Sequence, residues 1–249
     1  MAQQPQSPLD NAKKSIRSLN SVVEALLTNH PSRMVVARDT QSERPMKPLA
    51  AFFAAGNQTF DGIIRPLVGS IFIDLHDALD VAIRAKVQEK GGDPDGVRFP
   101  IIDRPGDLET SIQGASVDRA GPDVQRFIFG LHAYPMGDGE KIWAAARLGV
   151  NLSHRQEGAF LTYLVTVRGI KKPTGGSPIP DVVRQPAGHG AKIISRLPEE
   201  HYEVGIDIKP DEITVGLSEN SPLDRLSILE AVNQSAAAVS RVLDGIWPL

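Results

Sequence analysis

Apolar positions between Ile63 and Lys90 keep helical spacing for longer than anywhere else in the chain. Ile64, Val68, Ile71, Leu75, Ala78 and Ala82 recur at steps of three and four, and Phe72, Leu79, Ile83 and Val87 widen the stripe. An apolar face this wide predicts a central helix buried by several neighbours. Along the opposite line run Gly69, His76, Asp80 and Arg84, a narrow polar seam.

The flanking pattern predicts the remaining elements. Ser7-Pro8 is an N-cap followed by proline at the first helical position, and the helix it opens runs to about Leu27 with Ile16, Leu19, Val23 and Leu26 inward. Arg33 to Arg38 (RMVVAR) is a short β-branched run between turn formers and predicts a strand. Pro48 to Gly56 reads as a buried strand or a helical turn, which periodicity cannot separate at this length; a strand pairing with the first is the preferred reading. Gly91-Gly92-Asp93-Pro94 stops the central helix, and Arg98 to Ile102 is a short extended apolar piece. Gly106 to Ala115, Pro122 to Tyr134 and Glu140 to about Leu152 predict three more helices. The last of these carries its own polar line, Glu140, Arg147, Asn151 and His154.

The period then changes. Ala159 to Arg168, Ala191 to Arg196, Tyr202 to Lys209 and Glu212 to Leu217 predict strands, and the glycine- and proline-rich stretch 169–190 predicts a long flexible loop. Ser221-Pro222 with Asp224 opens a final helix of about six turns. Its inward stripe is Ile228, Val232, Val239, Val242 and Ile246, and Trp247 is expected to pin its end. This order predicts an α+β fold: a helical core around a long central helix, an antiparallel β-sheet and a long C-terminal helix. No linker separates two cores, so 1–249 reads as one domain, with residues 1–6 expected to be disordered.

Composition narrows the function classes. Hydrophobic residues make up 41% and charged residues 23% of the 249, which suits a soluble globular chain. Aromatics are 5% and the formal net charge is −3, so neither a base-stacking platform nor a broad basic surface is expected. The absence of cysteine removes disulfides, thiol nucleophiles and thiolate metal sites. The amino terminus has no apolar signal core, and the longest apolar run, Leu49 to Ala55, is far below the roughly 20 residues of a membrane span. A cytoplasmic protein without a membrane segment is the expectation.

Several short signals fall in a recognisable order: Gly69, then Ala78-Leu79-Asp80, then Phe99-Pro100-Ile101, Leu131 with Tyr134, Trp143, and His154-Arg155. From about residue 10 to the end this resembles an uncharacterised bacterial family. Its members carry a helix of the type Gly-Asp-x-x-His-Asn-Leu-Arg-Ser-Ala-Leu-Asp-His, then Phe-Pro-Ile, Leu-Gln-Pro-Tyr and Asn-Ile-Asp-Lys-His-Arg. The chain departs from that pattern at polar positions. Ile73 stands at the family histidine, His76 at its arginine, and Leu152 and Ser153 at the acidic and lysine positions before His154. The resemblance therefore implies fold rather than chemistry.

Two clusters carry candidate chemistry. Arg147, Asn151 and His154 project from one face, with Arg147 and His154 two helical turns apart, about 10 Å along the axis. An arginine followed by four to six residues and a histidine resembles the ribonuclease motif of the HEPN (higher eukaryotes and prokaryotes nucleotide-binding) helical families. The resemblance implies phosphate binding by Arg147 and proton transfer by His154. The guanidinium fork suits a phosphate, and imidazole titrates near neutrality. Leu148, however, stands where those motifs place a polar residue. The plainer reading is that Arg147 forms a surface ion pair and His154-Arg155 cap the helix end.

The second cluster is His76, Asp80 and Arg84 at successive i,i+4 positions. These residues read either as a binding site or as a hydrogen bond and ion pair within one helix. No third ligand at metal-site spacing accompanies them, so neither a metal nor a cofactor is expected. Two function classes remain: a non-enzymatic structural or interaction module, expected to form a homodimer, and a HEPN-like metal-independent ribonuclease or nucleotide-binding protein. Net charge and scarce aromatics favour the first. The Arg147, Asn151, His154 line favours the second.

Overall fold

In a computed structural model the described residues are 7–29, 33–38, 48–53, 60–153, 161–166, 182–186, 192–196, 213–217 and 222–249. The chain divides into two compact units. One comprises Met1–Leu19, Pro66–Glu157 and Leu229–Leu249; the other comprises Asn20–Arg65 and Gly158–Ile228. Most of what is described is helical.

The first unit is built on the helix that the apolar stripe predicts, here α2 (Arg65–Glu89), which it contains from Pro66 onward. The widened π turn that precedes α2 in the chain, Phe60–Ile64, falls within the span of the other unit. Every position of the expected stripe is buried, and Phe72, Leu75, Leu79 and Ile83 have no exposed surface. Helix α1 (Pro8–Asn29) starts as its cap dictates, since Ser7 Oγ accepts the Asp10 N–H at 3.2 Å and donates to the Asp10 carboxylate at 2.7 Å. Helices α3 (Leu108–Gly114), α4 (Pro122–Gly130), α5 (Glu140–Ser153) and α6 (Ile228–Ile246) complete the set.

Two helix ends differ from expectation, each for a local reason. Helix α4 stops at Gly130 instead of Tyr134, because His132 takes a left-handed φ of 46° and the chain turns back, with the Gly139 N–H bonding the His132 carbonyl. Helix α6 begins at Ile228, not near Pro222, because Leu223 has φ 61° and residues 222–226 form turns.

Three contacts set the helix packing. A Cβ at Gly149 on α5 would lie 2.5 Å from both His76 Cβ and the Phe72 carbonyl oxygen on α2, so the two helices meet backbone to backbone there. A Cβ at Gly245 on α6 would meet the Phe127 ring of α4 at 2.5 Å. At the far end of α2, the buried Lys86 ammonium donates to Glu89 Oε2 at 2.8 Å and to the Trp247 carbonyl at 2.9 Å, and lies 5.7 Å from the Trp247 ring centroid. Trp247 thus pins the end of α6 through its backbone and its ring together.

In the second unit the strands pair antiparallel. β1 (Arg33–Arg38) pairs with β2 (Pro48–Phe53), and β2 with β5 (Lys192–Arg196) across an irregularity at Ala50/Ala51. β3 (Leu161–Thr166) pairs with both β4 (Val182–Pro186) and β6 (Ile213–Leu217). β4 lies inside the stretch expected to be a loop; its Val182-Val183 pair supplies the β-branched residues that a ladder favours. The expected strand Tyr202–Lys209 and residues 1–6 lie outside the described residues. Among the described residues no helix is long and apolar enough to cross a membrane.

The α2–α5 crossing makes a sharp prediction. In an exposed helix, Gly→Ala stabilises by about 1 kcal/mol. At Gly149 the methyl would meet main-chain oxygen, so Gly149→Ala should cost about 1–3 kcal/mol in chemical denaturation. A net gain would mean that the helices do not touch at this point.

Candidate functional site

Between α2 and α3 the chain runs through 97–103 without helix or ladder partners. Val97, Phe99 and Ile102 are nevertheless buried there. Buried backbone outside regular structure must find partners for its polar groups, and the seam of α2 supplies them. Asp80 Oδ1 accepts the Phe99 N–H at 2.7 Å, and Arg84 Nε donates to the Val97 carbonyl at 2.8 Å. The Arg98 N–H between them goes to the Ala115 carbonyl at 3.2 Å. Arg84 also reaches Asp80 Oδ2 at 3.5 Å, which closes a ring from helix to segment and back.

His76 flanks the cluster without a hydrogen bond to either neighbouring carboxylate. Its Nε2 is 3.8 Å from Asp80 Oδ1 and its Nδ1 is 3.6 Å from Asp77 Oδ1, both too long for hydrogen bonds. Its side chain is only 12% exposed, and its Cβ lies under Gly149. Asp80 is 5% exposed. Burial pushes its carboxyl above the usual carboxylate range; the Phe99 N–H, His76, Arg84 and Arg98 pull it back only in part.

The segment is held on its other side as well. Asp103 accepts from Trp143 Nε1 at 3.3 Å and faces Arg147 Nη2 at 3.5 Å. Trp143 and Arg147 are one turn apart on α5, so one carboxylate ties both to the strap. Of the expected site residues, His76, Asp80 and Arg84 come together, while Arg147 goes to a different carboxylate. Asn151 is half-buried on α5, and His154 and Arg155 lie outside the described residues. Sequence reasoning missed Asp103. The available signal was an acid directly after the apolar piece, with a tryptophan and an arginine four apart on the next long helix. Among the described residues no three His, Asp or Glu side chains are placed to hold a metal ion.

Comparison with family models, with curated protein sequences and with solved structures finds no match to this chain.

The arrangement binds a peptide segment of its own chain, and its energetics are testable. Asp80→Ala leaves the buried Phe99 N–H without its acceptor and should cost about 1–3 kcal/mol at neutral pH, whereas Asp80→Asn keeps an acceptor and should cost less. Because the folded-state pKa is raised above 3.8, the folded protein binds more protons in that window. Stability linked to Asp80 is therefore complete below pH 3.8 and falls as pH rises through the raised value. The stability of wild type relative to Asp80→Asn should fall across that acid window in pH-dependent urea titrations. A difference that grows with pH there would contradict the burial account.

Proposed function

We propose that the protein is a non-enzymatic interaction module whose polar seams hold the fold together and which acts by association. The observation that carries this reading is the engagement of the seam: Asp80 and Arg84 bind the backbone of Phe99 and Val97, and Arg147 faces Asp103. Engagement of this kind, with the main chain of the same unit and with a neighbouring carboxylate, supports a structural role for the seam. Support for association comes from large apolar residues left at the surface. Phe129 and Met136 flank one turn, and Met136 is 94% exposed; Trp247 and Leu249 lie together at the carboxyl end. A two-fold homodimer is the simplest assembly that would cover them. An α+β architecture is part of the same reading, supported by the antiparallel pairing of the strands. So are the resemblance to the uncharacterised bacterial family and a cytoplasmic setting, the latter supported by a chain without cysteine.

One observation favours the ribonuclease reading. The Arg147 side chain is 40% exposed, and its 3.5 Å approach to Asp103 leaves donors free for a phosphate. Assays on purified protein and labelled RNA separate the two. The structural reading expects no cleavage by the wild type and a loss of a few tenths up to about 2 kcal/mol in His154→Ala from a weakened helix end. Cleavage by the wild type that falls about 10²–10⁴-fold in His154→Ala, with unchanged stability, would establish the ribonuclease instead. For association, light scattering should give twice the chain mass of 26.9 kDa. A monomer at every concentration would remove the dimer.

A further inference from the structure

A hollow of about 290 Å³ lies among the end of α4, the turn after it, the start of α5 and the later turns of α6. Its existence follows from small residues. Gly130, Gly139 and Ala238 line it and have no side chain long enough to fill it. The Phe127 ring is turned onto α6 at Gly245, where no Cβ intervenes. The walls are apolar, from Phe127, Leu131, Ile142 and Val242.

Two cations, Lys141 and Arg241, line the same hollow from α5 and α6. Neither has an ion pair among the described residues. The one acid on the rim, Asp138, does not neutralise them: it is 97% exposed and its carboxylate faces His132 at 3.8 Å. An apolar hollow lined by two uncompensated cations complements a ligand with a hydrocarbon body and a single anionic head. The volume lies just below the about 300–1,000 Å³ that holds drug-sized ligands, so the body must be short.

We propose that this cavity binds a small amphipathic monocarboxylate, its chain against Phe127, Leu131, Ile142 and Val242 and its carboxylate held by Lys141 and Arg241. This site is separate from the Asp80 cluster and does not depend on how that cluster is read.

Isothermal titration with octanoate, hexanoate and octylamine tests it on the intact chain. Octanoate should bind saturably at one site. Hexanoate should bind more weakly, by about fourfold for each methylene lost. Octylamine, with the same chain and the opposite charge, should not bind. The double variant Lys141→Gln/Arg241→Gln should weaken octanoate about tenfold or more. Its melting curve should match the wild type, because neither side chain is in the core. The proposal is overturned by absence of saturable octanoate binding, by equal binding of octylamine, or by a double variant that binds octanoate as the wild type does.

Discussion

A single carboxylate–amide bond organises the helical unit. Asp80 is buried on α2 and accepts the N–H of Phe99 at 2.7 Å, in a segment that has no ladder to satisfy its backbone. An apolar strap cannot be laid over a helix for the sake of its side chains alone, because each buried peptide group would lose its water. Phe99 can be buried because Asp80 is beneath its amide, and Val97 because Arg84 meets its carbonyl. Once the strap is fixed, Asp103 arrives where Trp143 and Arg147 can hold it, and α5 is tied to the same segment from the other side. The Gly149 contact then sets how closely α5 approaches α2.

Burying a carboxylate for this purpose is costly, and the raised pKa of Asp80 measures that cost in direction. A leucine at the same position would pack without desolvating a charge, but it would leave the Phe99 amide without a partner. Buried polar groups of this kind select one arrangement among several with similar apolar burial. The partial exposure of Arg84 and the tight seating of His76 fit that role. His76 stands 3.8 Å from Asp80 at 12% exposure, outside hydrogen-bond distance in this structure.

The core of the helical unit was legible in the sequence because it is periodic: every residue of the Val68 to Ala82 stripe is buried. The Ser7 cap and the strand at Arg33 were legible for equally local reasons, whereas the apolar run at Pro48 was too short for its period to separate strand from helical turn. Helix ends were less so. The early stop of α4 depends on His132 adopting a positive φ, and the late start of α6 on Leu223 doing the same, which neither residue type advertises. In the candidate site the seam His76, Asp80 and Arg84 could be seen, but its partner could not. Phe99 is nineteen residues from Asp80, and the bond is to its backbone, which leaves no mark on residue identity. Asp103 was hidden in the same way, since its two partners are forty and more residues away.

The central claim is that Asp80 holds the 97–99 strap in place, and amide hydrogen exchange at Phe99 tests it most directly. If the bond exists, the Phe99 amide exchanges only with global unfolding, as slowly as the amides inside α2, although it belongs to no helix or strand. In Asp80→Ala the Phe99 amide should lose protection through local opening and fall well below the α2 amides, which lose only the factor set by the global destabilisation. An unprotected Phe99 amide in the wild type, or equal protection in the variant, would contradict the account.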